Sequence, residues 1–140
     1  MKINSHNEWD TLKEVIVGTA TGTSATIEWH RPEKINEKTY KEALALCKEA
    51  TPKKILDETN EDLDNLAQAL KNYGAKVFRP NVHDISTIYS TPFWSSNGNN
   101  IYNVRDLNLV IGNYVIESPS HNISRYFETT TLYDIWYKYF

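Results

Sequence analysis

The order of apolar and polar positions along the chain predicts a strand, two helices, a second strand, a β-hairpin and a last helix. The first apolar run, Leu12 to Gly18, is rich in β-branched residues and is closed by glycine, which is typical of a buried strand. A small-residue loop, Thr19 to Ala25, follows it. Apolar residues spaced at i, i+4 and i+7 then predict a helix from Glu33 to Ala50, which Pro52 ends.

The next helix has the clearest pattern. Thr59 followed three residues later by Asp62 resembles a capping box, which predicts that the helix begins at Thr59. Its apolar stripe consists of Leu63, Leu66 and Leu70. Gly74 is a suitable residue just beyond the helix end. A short strand is expected after it and is stopped by Pro80, so this region predicts a helix followed by a strand.

The last third of the chain combines a loop, a hairpin and a helix. Ile85 to Asn103 is predicted to be mostly loop. Leu107–Ile111 and Tyr114–Glu117 read as two strands of a buried hairpin joined at Gly112 and Asn113. Ser124 to Phe140 is expected to be a helix, although three consecutive threonines weaken that pattern. Strands that alternate with helices indicate an α/β or α+β fold.

Composition fits one domain, residues 1–140, with 40% hydrophobic and 24% charged residues. The net charge of −3 comes with no clustered basic face, so no nucleic-acid partner is expected. No apolar run approaches the ~20 residues of a membrane span, and the polar N-terminus does not resemble a signal peptide. The single cysteine excludes an intramolecular disulfide. We therefore expect a soluble cytoplasmic protein that does not bind a membrane.

Arg105 and Asp106 stand out at the mouth of the hairpin. Aspartate is disfavoured in strands, and charged groups are rarely buried unless they are paired. From the residues alone, a carboxylate at this place, beside a polar loop, is more typical of a structural ion pair or a strand cap. It would also fit a guanidinium ligand with its planar fork of donors. The side chains of neighbouring residues in an extended segment point to opposite faces, so Arg105 is not expected to bind the same partner as Asp106. Arg105 is either a structural arginine or a residue that binds a substrate carboxylate.

Two blocks of the sequence resemble the amidinotransferase family, the group that contains glycine and inosamine-phosphate amidinotransferases. The first is NSHNEWDTLKEVIVG, Asn4 to Gly18. The second is RDLNLVIGNYVIESP followed by SRYFE, within Arg105 to Glu128. A similar helix and strand precede Arg79-Pro80. The resemblance extends over nearly the whole chain, but only these two blocks are specific.

This resemblance implies a fold and a chemistry. The fold is the pentein α/β propeller of five ββαβ modules, of which this chain would form a partial propeller of roughly two modules. Family members move the amidino group of arginine to an amine through a cysteine-bound intermediate, with a histidine that shuttles protons and carboxylates that hold the guanidinium. By resemblance, Asp106 and Arg105 are the substrate-binding residues, and arginine or another guanidino compound is the ligand. No cofactor and no metal are expected.

The departures from the family are informative. Its members are much longer, and their catalytic cysteine, histidine and second aspartate lie in later modules. Cys47 lies on the apolar stripe of a helix and is interpreted as a small buried hydrophobe, not as the nucleophile. In the family's aromatic-Arg-Ser-Arg run, Ile123 replaces the first arginine. The chain is therefore expected to contain no catalytic residue and to be inactive alone.

Two other functions remain open at this stage. One is a fragment of a guanidino-group hydrolase, similar to a deiminase, in which water replaces the amine acceptor. The other is a truncated, non-catalytic paralogue that serves as a binding or assembly module. If the chain is a fragment of a ring of modules, the missing neighbours uncover apolar surface, so we expect it either to self-associate, as a homo-oligomer, or to be marginally stable.

Overall fold

The computed structural model describes residues 2–20, 27–28, 36–39, 41–42, 51–82, 87–92, 94–97, 101–120 and 122–140. Within these residues, strands occur at β1 (Glu14–Ile16), β2 (Ile27–Glu28), β3 (Lys76–Phe78), β4 (Ile88–Ser90), β5 (Ser95–Asn97), β6 (Asn108–Ile111) and β7 (Tyr114–Glu117). Helix α1 spans Lys53–Asn72 and helix α2 spans Tyr133–Trp136, and 3₁₀ turns span Val104–Asp106, Ile123–Arg125 and Glu128–Leu132. The described strands form three small sheets, so the fold is α/β, as predicted, and they do not form a closed propeller.

The centre of the fold is the parallel pair of β1 and β3, which α1 connects. Ile16 lies opposite Phe78 in this pair, so the two side chains share one face. That face packs against a buried cluster of Ile101, Leu132 and Ile135. The other face packs against α1 through a second cluster, which contains Val17, Leu63 and Ala67. The short sheet is thus covered on both sides, as parallel sheets require.

Helix α1 begins earlier than predicted. It starts at Lys53 after Pro52, so the predicted start at Thr59 is wrong. The Thr59 hydroxyl lies within the helix and donates a hydrogen bond to the carbonyl of Ile55, 2.7 Å away. Pro52 is the N-cap residue, and its carbonyl accepts a hydrogen bond from the amide of Leu56, so this proline marks the beginning of a helix.

The buried stripe of α1 also differs by one residue from the prediction. Leu63 and Ala67 are buried and Leu70 packs against them, whereas Leu66 is half exposed. Leu63, Ala67 and Leu70 are spaced at i, i+4 and i+7, so the buried face of the helix passes through Ala67 and not through Leu66. The predicted end is confirmed, because Gly74 has φ +90° directly after the last turn.

The region predicted as loop contains two strands. β4 and β5 pair antiparallel, with Thr91 and Trp94 closing the turn between them. Aromatic packing holds this hairpin in place, since Tyr89 stacks on Phe127 with ring centroids 4.5 Å apart. The sequence did not indicate these two short strands, because the contacts that stabilise them come from a distant part of the chain.

The last segment is only briefly α-helical. It consists of 3₁₀ turns and the four-residue helix α2, so the predicted helix from Ser124 to Phe140 is wrong over most of its length. Thr130 and Thr131 donate their hydroxyls to the carbonyls of Phe127 and Glu128, three residues earlier. Such bonds offer the backbone an alternative to the α-helical pattern, which explains the tighter turns.

The β6–β7 hairpin is formed as predicted, but it is not buried. Gly112 has φ +58° at the first position of the two-residue turn, where glycine is favoured. Four apolar side chains share one face of the hairpin and are 48–66% exposed: Leu109, Ile111, Tyr114 and Ile116. We call this surface the hairpin face.

Two sequence predictions concern the remaining parts of the chain. Residues 37–39 and 41–42 are helical, in line with the first predicted helix, but Cys47 lies outside the described residues. Among the residues described, no helix is both long and apolar enough to cross a membrane.

Candidate functional site

Asp106 lies on a 3₁₀ turn just before the hairpin. The turn spans Val104–Asp106, so the expectation that Arg105 and Asp106 stand in an extended segment is wrong. Val104 packs against the core and Leu107 is buried, which fixes the turn at both ends. The Asp106 side chain is left 45% exposed at the surface between these anchors.

A close backbone approach fixes the chain leading into this turn. The amide of Thr19 donates to the carbonyl of Ile101, 2.9 Å away. A Cβ atom built on Gly18 would lie 2.0 Å from the carbonyl oxygen of Tyr102, so only glycine fits there. The first strand thereby sets the position of the turn that bears Asp106.

Arg125 is the partner of Asp106. Its Nη1 donates to Oδ2 of Asp106 over 2.9 Å, and its Nη2 donates to the carbonyl of Asn103 over 3.2 Å. On its other side, Nε of Arg125 donates to Oε2 of Glu128 over 2.5 Å. One guanidinium therefore lies between two carboxylates and a backbone carbonyl of the turn, and its Nη1 and Nη2 both bond to residues of the 103–106 segment.

Local hydrogen bonds hold Arg125 in place. The Asn122 side chain accepts from the backbone amide of Ser124 at 3.1 Å and from its hydroxyl at 2.7 Å, which starts the turn Ile123–Arg125. Ser124 is buried. Side chains three residues apart on 3₁₀ turns lie on the same side, which brings Glu128 next to Arg125.

Burial and charge act against each other at this cluster. Burial raises the pKa of the Glu128 carboxyl, and the hydrogen bond and charge of Arg125 only partly offset this. For the Arg125 guanidinium, burial lowers the pKa, but the hydrogen bonds and charges of Glu128 and Asp106 outweigh it and leave the pKa above its ordinary value. The guanidinium therefore stays charged.

Arg105 does not join this cluster. It is exposed and forms no ion pair with any residue that the structure describes. The structure therefore brings Asp106 together with Arg125 and Glu128, and it leaves Arg105 apart.

Arg125 also lines a cavity of about 340 Å³. It is lined by the first half of α1 and by the segment that contains Tyr102 and Asn103, whereas Asp106 is not among its lining residues. Within the described part of the chain, no group of three or more histidine, cysteine or acidic residues is placed to hold a metal ion.

The sequence reasoning did not select Arg125 and Glu128 as site residues. Both stand in the block SRYFE, and an arginine followed three residues later by a glutamate is an ion-pair spacing on a helical turn. That spacing could have indicated an ion pair between Arg125 and Glu128. Nothing in the local sequence indicated that the pair would reach a residue 19 positions earlier.

Comparisons with known proteins identify relatives of this chain. No protein-family model matches it. It is 36% identical to inosamine-phosphate amidinotransferase 1 of Streptomyces griseus over 99% of this chain and 40% of that protein. It is 34% identical to the L-arginine:L-lysine amidinotransferase of Pseudomonas savastanoi pv. phaseolicola over 97% of this chain and 38% of that enzyme.

A solved structure of the Streptomyces griseus inosamine-phosphate amidinotransferase matches the fold. It superposes with a TM-score of 0.82 at 33% identity, covering 98% of this chain and 40% of that one. The chain thus spans about two fifths of the length of the relatives it matches. The chain belongs to the amidinotransferase family, and it corresponds to the N-terminal portion of its members.

Proposed function

We propose that this chain supplies the N-terminal portion of an amidinotransferase, which moves the amidino group of arginine to an amine through a cysteine-bound intermediate. The chain would act as one domain, residues 1–140, that forms roughly two modules of a partial pentein propeller. Its contribution is a carboxylate that holds the guanidinium. The cysteine and histidine that carry the covalent chemistry would lie outside this portion. The lone cysteine favours a reducing, cytoplasmic setting.

The observation that carries this proposal is the guanidinium already bound to Asp106. Arg125 occupies Oδ2 at 2.9 Å, while the carboxylate stays 45% exposed and has no second partner among the described residues. A carboxylate can accept charge-assisted hydrogen bonds at both oxygens. Asp106 therefore has room for a second guanidinium, that of the substrate. Arg105 is a second substrate-binding candidate, since its exposed side chain is available for a substrate carboxylate.

A titration of the ¹⁵N-labelled chain with L-arginine tests this role. We expect saturable shifts of the amide signals of the Val104–Asp106 turn, because the ligand binds its exposed carboxylate. Citrulline, which replaces the guanidinium by a neutral urea group, should cause no such shifts. Asp106→Asn should abolish the arginine response.

The matched control is Asp134→Asn. Asp134 is also a surface carboxylate, but it accepts a hydrogen bond from Asn81 and lies outside the site. This variant should respond to arginine as the unsubstituted chain does. Equal responses to arginine in the Asp106→Asn variant and in the unsubstituted chain would contradict the proposal.

A non-catalytic assembly module is the second candidate, and the hairpin face favours it. An apolar surface of four side chains that are 48–66% exposed is typical of a contact with another polypeptide. A module of this kind needs no guanidinium site, so it would show no arginine response that depends on Asp106. The same titration therefore separates the two functions.

A further inference from the structure

We infer that Arg125 and Glu128 are positioning residues that orient Asp106 towards a guanidinium ligand. This inference rests on the proposed function of Asp106. The three side chains form a line from the interior to the surface: the exposed fraction is 1% for Glu128, 18% for Arg125 and 45% for Asp106. The innermost carboxylate holds the guanidinium, and the guanidinium holds the outermost carboxylate.

The contacts of Arg125 fix the plane of its guanidinium. Glu128 accepts from both Nε, at 2.5 Å, and Nη2, at 3.5 Å, which is a two-point contact. The carbonyl of Asn103 accepts from Nη2 at 3.2 Å and ties the same group to the turn of Asp106. With these positions set, Nη1 bonds Oδ2 of Asp106, and no described residue donates a hydrogen bond to Oδ1 of this 45% exposed side chain. Orientation of this kind is the usual contribution of residues behind a binding group.

The charge of the cluster favours a cation at its exposed end. One guanidinium lies between two carboxylates, so the cluster carries a net charge of −1 when both are ionised. Glu128 is enclosed by protein, which leaves Asp106 as the place where a further cation can approach. A guanidinium offers several N–H donors in one plane to the exposed carboxylate and is more weakly hydrated than a compact ammonium group, so it is the favoured cation. Glu128 thus adds to the ligand preference without touching the ligand.

The experiment measures ethylguanidinium affinity for the full chain by NMR titration. Glu128→Gln keeps the size of the side chain but removes its charge and one acceptor, and we expect binding about tenfold weaker. Arg125→Lys keeps the charge but loses the fork, and it should weaken binding by a similar factor. The control is Glu117→Gln, whose carboxylate accepts from Thr129 and Tyr133 and does not contact Arg125.

A second signal reports on positioning without ligand. The Nε–H cross-peak of Arg125 should be sharp in the unsubstituted chain and in Asp106→Asn, because Glu128 holds it from inside. In Glu128→Gln it should broaden or disappear, whereas a merely structural role of Glu128 would change only the melting temperature.

The outcomes separate the two claims. If Asp106→Asn abolishes binding but Glu128→Gln and Arg125→Lys bind as tightly as the unsubstituted chain, the positioning inference is wrong and the proposed function stands. A sharp Arg125 signal in Glu128→Gln also overturns the inference. If the unsubstituted chain does not bind ethylguanidinium, the proposed function fails and the positioning inference falls with it.

Discussion

Arg125 and Asp106, 19 residues apart in the sequence, form an ion pair with 2.9 Å between Nη1 and Oδ2. The pair joins the turn before the β6–β7 hairpin to the turn after it. Because Asp106 is nearly half exposed, the pair adds little to stability, about 1 kcal/mol or less. Its main consequence is geometric, since it fixes where a surface carboxylate points.

Glu128 should make stability fall as pH rises through the acid range. Burial raises the pKa of this carboxyl in the folded chain above the ordinary value of 4.5. The folded state therefore keeps the proton to higher pH than the unfolded state does. The resulting stability is fully present below pH 4.5 and is lost as pH rises through the raised pKa.

Urea unfolding at a series of pH values measures this effect. The free energy of unfolding of the unsubstituted chain should decrease relative to Glu128→Gln over that range. An increase relative to this variant would mean that the charge of Arg125 outweighs burial, and it would contradict the expected direction.

The Tyr139 hydroxyl should lose its proton at a higher pH than an ordinary tyrosine does. Its hydroxyl donates to Oε2 of Glu14, and burial, this hydrogen bond and the negative charge of Glu14 raise the pKa of Tyr139 to about 12. The stability that this raised pKa gives is fully present below the ordinary tyrosine pKa of 10.0 and is lost as pH rises through about 12. Alkaline difference absorbance of the unsubstituted chain against Tyr139→Phe isolates this one group among nine tyrosines.

Glu14→Gln provides the matched test for the tyrosine. It removes the charge but keeps an acceptor for the hydroxyl, so the pKa of Tyr139 should move back towards 10.0. An unchanged pKa in this variant would show that the charge of Glu14 does not contribute to the shift.

Gly18→Ala should destabilise the fold by about 2 kcal/mol or more, because its Cβ would overlap the backbone of Tyr102 and push apart β1 and the segment leading to Asp106. Gly74→Ala is a useful comparison. Its Cβ meets no atom within 4 Å, and only the positive φ is unfavourable, so a cost of about 1 kcal/mol is expected. Chemical denaturation measures both. A smaller loss for Gly18→Ala than for Gly74→Ala would contradict the close approach.

We expect the isolated chain either to self-associate or to have a low melting temperature, because its hairpin face is uncovered. Sedimentation and thermal unfolding over a concentration series measure this. Leu109→Thr combined with Ile116→Thr removes one apolar cross-strand pair of that face and should reduce association. Tyr73→Thr removes an exposed aromatic residue elsewhere and should not. A concentration-independent monomer with a sharp, high-temperature transition would show that the chain is self-sufficient.

Sequence patterns were sufficient where a local rule decided the structure. The end of α1 at Gly74 and the hairpin turn at Gly112 depend on positive φ, which glycine alone adopts easily, and both were predicted correctly. The start of α1 was missed because Pro52 could be read as an end or a beginning.

Tertiary contacts decided the elements that the sequence did not predict. The strands β4 and β5 depend on the stacking of Tyr89 against Phe127, which no local pattern reveals. The residues of the candidate site also differ in whether local sequence or tertiary contacts reveal them. Asp106 was selected from its place beside the hairpin and from the family resemblance, whereas Arg125 and Glu128 reach it only through the fold.

The most direct test of a guanidinium-binding Asp106 is amidino transfer by a chimera. This chain would replace the matching portion of the Pseudomonas savastanoi L-arginine:L-lysine amidinotransferase, with which it aligns over 97% of its length. Ornithine release from arginine in the presence of lysine is the readout, and the 140-residue chain alone should release none. We expect the chimera to be active and Asp106→Asn to lower its rate on the order of 10²-fold, with Asp134→Asn unchanged. A chimera that transfers amidino groups equally well with Asp106→Asn would contradict the role of this carboxylate.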